Sequence, residues 1–274
     1  MSRNTIARAV SAGVVIVTAV LAAACAGSRP DPSDRAAALA EQPPVVAVVD
    51  TGVDPRSSFG GMLDRRSSRS LVAGETLDDA DGHGTAMASV VHANAPTARI
   101  VAVKASGFDG SSDDRLAAAV AHAVDVDASV ILIAMTGAQP LPATQHAIEQ
   151  AGRAGALVVV AAGNDGADLE VHPSYPAAGG SHHVIAVAAV DDDGRVLGSS
   201  NRGGSAVAQG LGVGVPACGP DGAPMTVGGT SAAAALVAAR ASTLLDQGSL
   251  TAPQLRRNLE GSPVLDAAPA DCAG

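Results

Sequence analysis

Five short runs of β-branched and aliphatic residues recur along the chain, separated by stretches with the composition of helices. The runs cover residues 45–49, 99–104, 129–135, 156–161 and 184–189. Such near-continuous apolar runs are typical of strands that are covered on both faces in a parallel sheet. Helical stretches over 114–126 and 143–154 supply the crossovers that parallel strands need. The pattern predicts an α/β fold, a doubly wound, mainly parallel sheet with helices on both faces, in one domain.

The chain has almost no aromatic side chains with which to fill that core. Phe, Trp and Tyr make up 1% of its 274 residues, and Trp is absent. Ala, Val, Leu and Ile must therefore build the interior, and their small size favours helices packed closely on a sheet. The formal net charge of −10 at pH 7 argues against nucleic acid as the main partner.

The first 25 residues have the composition of an export signal. Arg3 and Arg8 precede an apolar stretch over 9–24 that ends in small residues. This combination predicts a secretory signal peptide over 1–25 and not a membrane-spanning helix. Two interpretations of how the signal peptide is removed remain open. The segment before Cys25 resembles a bacterial lipobox, in which Cys25 would be lipidated, and ordinary cleavage beside it fits equally well.

Export has consequences for the rest of the chain. It would place Cys218 and Cys272 in an oxidising compartment, where they are a plausible disulfide pair. Residues 26–43 are rich in Pro, Ser, Asp and Ala, and are predicted to be a linker. No later apolar stretch is long enough to span a bilayer, so membrane contact is expected only through the N-terminal signal or lipid.

Three polar residues stand where a sheet of this kind keeps its chemistry. Asp50 follows the first apolar run, and open α/β sheets bind ligands outside the carboxyl ends of their strands. His83 lies between two glycines at the start of an apolar helix. Ser231 opens an alanine-rich helix, among unpaired N–H groups at the positive end of the helix dipole. Taken singly, each has a structural alternative: a turn former, a structural histidine and a helix cap.

Taken together, four segments resemble the signature segments of the subtilisin-like serine proteases, and their order along the chain is also that of the family. They are Asp50-Thr51-Gly52, His83-Gly84-Thr85, Ala161-Ala162-Gly163-Asn164 and Gly229-Thr230-Ser231. The resemblance implies a subtilisin-like peptidase domain over 44–262, followed by a C-terminal tail over 263–274. Within the family the chain resembles a small exported form, somewhat similar to the mycosins, which are exported proteases of actinobacteria.

The resemblance also implies a role for each polar residue. Ser231 would attack a peptide carbonyl, His83 would take up and return the proton, and Asp50 would orient His83. Asn164 would donate its side-chain amide to the oxyanion. The implied function is that of an exported serine endopeptidase acting on protein or peptide substrates.

Two uncharged segments would line the substrate-binding cleft. They comprise Ala134, Met135, Thr136, Gly137, Ala161, Ala162 and Gly163. Their small, neutral side chains predict a preference for an apolar residue before the scissile bond, with Asp165 adding tolerance for Lys or Arg.

Three departures from the family pattern keep a second hypothesis open. Ala235 stands where the family has a proline, Ala86 where it has a second histidine, and 134–137 replaces a Ser-Leu-Gly segment. None removes a catalytic atom, but a catalytically weak or silent binding protein on the same fold remains the alternative. An α/β-hydrolase esterase is disfavoured, because the segment around Ser231 lacks the final glycine of a nucleophile elbow and the order of the three residues differs.

The sequence predicts no metal site and no cofactor. No acidic cluster has the ligand spacing of a calcium site. His182 and His183 are adjacent, but no Cys, His or Glu stands near them at the spacing of a zinc site. No pattern specifies an oligomeric state.

Overall fold

A seven-stranded parallel sheet lies at the centre of the fold. The computed structural model describes residues 42–57, 63–204, 206–248 and 250–272. The strands lie in the order β2-β3-β1-β4-β5-β6-β7, and each neighbouring pair is parallel. Their bounds are β1 (Val45–Asp50), β2 (Arg69–Ser70), β3 (Arg99–Lys104), β4 (Val130–Ile133), β5 (Leu157–Ala161), β6 (Val184–Val190) and β7 (Ala206–Leu211). The predicted fold class is confirmed.

Helices cover both faces of this sheet. They are α1 (His83–Asn94), α2 (Asp113–Asp125), α3 (Pro142–Arg153), α4 (Gly229–Asp246) and α5 (Ala252–Leu259). Helices α1, α4 and α5 contribute to one apolar cluster, and α2 and α3 contribute to the cluster on the opposite face. In the part of the chain that the structure describes, no helix combines the length and the apolar character needed to cross a membrane.

Strand β1 shows why the apolar runs are continuous. Val46 and Val48 belong to the cluster under α1 and α4, whereas Val45, Ala47 and Val49 belong to the cluster under α2 and α3. Successive side chains of a strand point to opposite faces, so a strand with helices on both faces needs apolar residues at every position.

Small residues bring α4 unusually close to the sheet. A Cβ on Gly210 of β7 would lie 2.6 Å from the carbonyl oxygen of Ala233 on α4. The interior is thus built from alanine and β-branched residues, as the composition predicts. Ala86 and Ala235 are both buried in the cluster under α1 and α4, so these two departures from the family pattern lie in the core and not at the surface.

The elements that sequence patterns did not reveal lie at the margins of the fold. They are the edge strands β2 and β7 and an antiparallel hairpin formed by β8 (Val215–Cys218) and β9 (Pro224–Val227). The final helix, α5, begins at Ala252, directly after a capping box between Thr251 and Gln254. Beyond it, Val264 pairs with Gly210 on the outer strand, and the chain then returns to Asn94 through the amide of Ala268.

The strand order places the end of β1 at a special position. From β1 the chain passes to β2 and β3 on one side, and it returns through α2 to β4 on the other side of β1. This reversal is a topological switch point, and ligands of open α/β sheets bind at the carboxyl ends of the strands there. Asp50 is the last residue of β1.

Candidate active site

Asp50 and His83 form a directly bonded pair. Asp50 is 1% exposed, and its Oδ1 lies 2.8 Å from Nδ1 of His83 and accepts a 2.8 Å hydrogen bond from the N–H of Thr51. The carboxylate therefore selects the tautomer with the proton on Nδ1, which leaves Nε2 as the basic nitrogen. The His83 side chain is 35% exposed, so this nitrogen remains accessible.

Glycines let the two segments approach each other. Gly82 caps α1 with φ of 89°, which places His83 as the first residue of the helix. A Cβ on Gly84 would lie 2.2 Å from the carbonyl oxygen of Gly52 and 3.1 Å from Cβ of Asp50. Only glycine fits there, so Gly84 sets how closely the start of α1 can lie against the end of β1.

The surroundings of His83 raise its pKa above the ordinary value of 6.5. Burial by itself disfavours the imidazolium and lowers the pKa. The charge of Asp50 and its hydrogen bond to the ring act in the opposite direction, as do the charges of Asp81 and Asp79, and together they outweigh burial. The pair is therefore arranged to stabilise a proton that arrives on the ring.

Ser231 lies at the start of α4 but is engaged elsewhere. It is the third residue of the helix, and its Oγ donates a 3.0 Å hydrogen bond to the carbonyl of Ala134. Among the hydrogen bonds of the described residues, none joins Ser231 to His83. The backbone N–H of Ser231 belongs to the first turn, where N–H groups have no acceptor within the helix.

Asn164 lies beside the same helix start, after β5. Its Oδ1 accepts the N–H of Thr230 at 2.9 Å and the hydroxyl of Thr230 at 3.2 Å. Because a backbone N–H can only donate, the atom that faces it must be the amide oxygen. The Nδ2 group of Asn164 is thereby turned away from Thr230, and the side chain as a whole is exposed.

A residue to which the sequence assigned no role fixes the Asn164 loop. Asn201 is 1% exposed; its Nδ2 donates to the carbonyl of Ala162, and its Oδ1 accepts the N–H groups of Asp165 and Ala167. A second such residue, Asp79, lies under the start of α1. Asp79 joins Thr51, 28 residues earlier, to Gly82 and Thr85 in its own segment, and the partners of Asn201 lie 34 to 39 residues before it.

Two cavities flank the polar residues. The first, about 450 Å³, is lined by residues that include Asp50, His83, Ala134, Met135, Thr136 and Gly137. The second, about 690 Å³, adjoins Asn164 and is lined by residues that include Thr136, Gly137, Asp165, His172 and Ser174. Thr136 and Gly137 line both cavities.

The other predicted lining segment lies deeper than expected. Ala161 and Ala162 are 1% and 0% exposed, and neither they nor Gly163 belong to the lining of these two cavities. Instead, the N–H of Gly163 donates to the hydroxyl of Thr230. Their side chains pack into the core because β5 is a central strand, and the residues just after them form the wall.

Cys218 and Cys272 lie within bonding distance, with their Cα atoms 5.4 Å apart. The pair ties the C-terminal tail to β8, and the N–H of Cys218 donates to Ser89 on α1. Cys25 and the predicted signal lie outside the described residues. Among the residues that are described, no group of three or more His, Cys, Asp or Glu side chains is arranged to hold a metal ion.

Comparisons with known proteins agree on one family. A profile of the subtilase family matches residues 41–262. Subtilisin DY from Bacillus licheniformis is 30% identical over 230 residues, which cover 79% of this chain and 82% of the relative. Subtilisin Savinase from Lederbergia lenta is 30% identical over 229 residues, with the same coverage of 79% and 82%. The crystal structure of a cold-adapted subtilisin-like serine proteinase superposes with a TM-score of 0.70 at 26% identity, covering 79% of this chain and 80% of that one.

Proposed function

The chain belongs to the subtilase family of serine endopeptidases, and from that premise we propose that it is an exported protease that cleaves peptide bonds through Asp50, His83 and Ser231. Asn164 serves as the oxyanion donor. The observation that carries the proposal is the 2.8 Å bond between Asp50 and His83 at the carboxyl end of β1. Both residues line a cavity together with Ala134, whose carbonyl accepts the hydroxyl of Ser231.

The proposed reaction starts with a change of partner. Ser231 Oγ leaves the carbonyl of Ala134 and donates to Nε2 of His83. When Oγ attacks the substrate carbonyl, its proton moves to Nε2, and the carbonyl oxygen becomes an oxyanion. His83 then gives this proton to the leaving amine as the C–N bond breaks, which leaves an acyl ester on Ser231. Water, deprotonated by the same imidazole, hydrolyses the ester and restores the hydroxyl.

In the proposed reaction the oxyanion is bound by two groups. One is Nδ2 of Asn164, which is free to donate because Oδ1 is occupied by Thr230. The other is the N–H of Ser231 in the first turn of α4, where the helix dipole also favours negative charge. Both are fixed before the reaction begins, so little reorganisation is needed when charge develops.

The cavities support a preference at the residue before the scissile bond. The 134–137 wall carries no charge, which favours an apolar side chain. Asp165 and His172 lie on the lining of the second cavity, and Asp165 extends the range to Lys and Arg. Cleavage of a peptide library tests this directly, and a profile dominated by acidic residues at that position would refute it.

Export and its form are proposed from the sequence. Residues 1–25 are taken as the signal, and Cys25 as the residue that carries lipid. The diacylglyceryl group of a bacterial lipoprotein has two acyl chains, which give a stable membrane anchor, whereas one chain does not. Mass spectrometry of the mature N-terminus decides between this and ordinary cleavage. In the lipidated case, Cys25→Ser releases the protein into the medium.

Hydrolysis of an unfolded protein substrate tests the activity. The wild-type chain is expected to degrade it. Ser231→Ala is expected to lose on the order of 10⁶-fold in kcat, a magnitude that is known for subtilisin and is taken over from that relative. The alternative, a weak or silent binding protein, is favoured by the engagement of Ser231 with Ala134, and it predicts that wild type and variant behave alike.

A further inference from the structure

Asp79 is a buried carboxylate to which the proposed reaction assigns no part. It is 5% exposed and accepts four hydrogen bonds. Oδ1 accepts from the hydroxyl of Thr51 at 2.8 Å and from the N–H of Gly82 at 2.9 Å. Oδ2 accepts from the N–H of Thr85 at 2.8 Å and from its hydroxyl at 2.7 Å. No neutral side chain could accept all four, because these partners are all donors.

The partners of Asp79 belong to both segments that carry the acid–base pair. Thr51 directly follows Asp50, and its hydroxyl also accepts the N–H of Gly84 at 2.9 Å. Thr85 lies two residues after His83, and its hydroxyl accepts the N–H of Asp54 at 2.9 Å. Each hydroxyl therefore gives its proton to Asp79 and uses a lone pair for a backbone amide. The network joins the end of β1 to the first turn of α1.

We propose that Asp79 is a positioning residue: through Thr51, Gly82 and Thr85 it fixes the start of α1 against the end of β1, and with it the contact between Asp50 and His83. This inference rests on the proposed function in so far as that contact serves catalysis. Asp79 touches neither of the two side chains by a hydrogen bond, so it acts through the backbone that carries them. Its second contribution is its charge, which favours the imidazolium that forms during turnover.

Other charges lie in the same region and must be separated from that of Asp79. Asp50 and Asp81 also act on His83. Lys104 and Glu75 form an ion pair at 2.9 Å, and both line a further cavity together with Asp81. Asp54 is paired with Arg56. Asp78 is the neighbour of Asp79 in sequence, is exposed, and its side chain stands outside the network. Asp78→Asn is therefore a matched control that removes one negative charge from the same loop.

Asp79→Asn keeps the shape of the side chain but turns an NH₂ group toward hydrogen-bond donors. We expect kcat per active site to fall by up to about 10²-fold, the scale of a small misplacement of reacting groups, with KM little changed. The pH midpoint of kcat/KM is expected to move down, because a charge that favours the imidazolium is lost. Asp78→Asn should leave the limiting kcat unchanged.

Active sites are counted by titration with a fluorophosphonate, so that a loss of folded protein is not mistaken for a loss of rate. If Asp79→Asn keeps the wild-type kcat per labelled site and the wild-type pH midpoint, the proposal is overturned. A pair of variants covers the case in which Asp79→Asn does not fold. Thr51→Val removes the bridging hydroxyl and should lower kcat per site, whereas Thr51→Ser keeps it and should restore the rate; equal rates in the two refute the network.

A measurement that needs no activity separates this proposal from the proposed function. In a Ser231→Ala background, NMR titration of the His83 ring is expected to give a lower pKa with Asp79→Asn than with Asp78→Asn. If the wild-type chain fails to hydrolyse any peptide while this difference in the pKa of His83 is present, the proposed function fails and the role of Asp79 stands. Equal pKa values for His83 in the two variants would remove the electrostatic part of the role.

Discussion

The two halves of the site are held in place by different means. Asp50 and His83 meet directly at 2.8 Å, and buried side chains connect the strand and the helix on which they lie. Among the described residues, no hydrogen bond joins the side chains of Ser231 and Asn164 to each other. They are joined through the backbone and hydroxyl of Thr230, and Ser231 itself donates to Ala134. The Asp50–His83 contact of the proposed reaction is therefore already made, whereas Ser231 has a different partner from the one that the reaction requires.

In the proposed reaction, this difference assigns one task to the substrate: its binding has to accompany the transfer of the Ser231 hydroxyl from Ala134 to His83. A single neutral hydrogen bond contributes about 0.5–1.5 kcal/mol, so exchanging the Ala134 carbonyl for His83 Nε2 costs Ser231 little. Moving Asp50 and His83 relative to each other would instead require breaking several buried hydrogen bonds at once. We therefore expect substitutions that disturb the Asp50–His83 half to alter both the stability of the fold and the pH profile of the activity. Substitutions of Ser231 or Asn164 should alter turnover alone.

The Cys218–Cys272 pair gives the largest expected effect, and it acts on the acid–base half. The bridge closes a separation of 54 residues, for which the chain-entropy model gives about 4 kcal/mol of stability. It anchors the strand that leads to Pro220, whose Cδ lies 3.0 Å from the position of a Cβ on Gly82, at the cap of α1. Cys218→Ser with Cys272→Ser should therefore lower the free energy of unfolding, measured by urea denaturation in a Ser231→Ala background that prevents autolysis.

The control for this experiment is the same background with both cysteines, oxidised and then reduced. Reduction should reproduce most of the loss. Equal urea midpoints for the oxidised and reduced chains would show that the bridge does not form or does not stabilise.

Asn164→Ala sharpens the comparison from the other side. Loss of one oxyanion donor should lower kcat by about 10²–10³-fold, a magnitude known for subtilisin and taken over from that relative. Among the described residues, the side chain of Asn164 is hydrogen-bonded to Thr230 in the first turn of α4, and Asn164 is exposed, so the urea midpoint should change little. Asn201→Ala is the contrasting variant: it removes the buried support of the loop and should lower both stability and turnover. A silent Asn164→Ala in an active enzyme would show that the oxyanion assignment is wrong.

The pH dependence follows from the raised pKa of His83. Only the neutral imidazole can act as the base, so hydrolysis should rise with pH through a midpoint above 6.5. Stability should change in the opposite sense. A raised pKa means that the folded state binds this proton more tightly, so the contribution of His83 to stability is present below the unfolded pKa and is lost as pH rises through the folded pKa. A midpoint of kcat/KM below 6.5 would contradict the arrangement of charges around the ring.

Much of the fold follows from patterns that are local in sequence. Continuous apolar runs predicted the five central strands, because such strands need an apolar residue at each position. The two-residue edge strand β2 and the hairpin of β8 and β9 have no such pattern, since they are short or partly exposed. Their existence depends on neighbours supplied by the rest of the chain.

The same division applies to the site. Asp50, His83 and Ser231 could be singled out because each ends a strand or opens a helix at one edge of the sheet. Their proposed roles, and that of Asn164, follow from the resemblance to the family's signature segments. Asn201 and Asp79 could not, because what makes them important is a hydrogen bond to a segment far away in sequence: from Asn201 to the loop after β5, and from Asp79 to Thr51. The partner of Ser231 was equally beyond the sequence, because it depends on one side-chain rotation within the assembled cleft.

Labelling with a fluorophosphonate, followed by mass spectrometry of the modified peptide, tests the central claim most directly. The probe reacts only with an activated serine, so it reports whether the Asp50–His83 pair and Ser231 act together as a working site. We predict a single adduct on Ser231, formed faster as pH rises past the pKa of His83, and none in Ser231→Ala. Folded wild-type protein that gives no adduct at alkaline pH, or an adduct on another serine, would contradict the account.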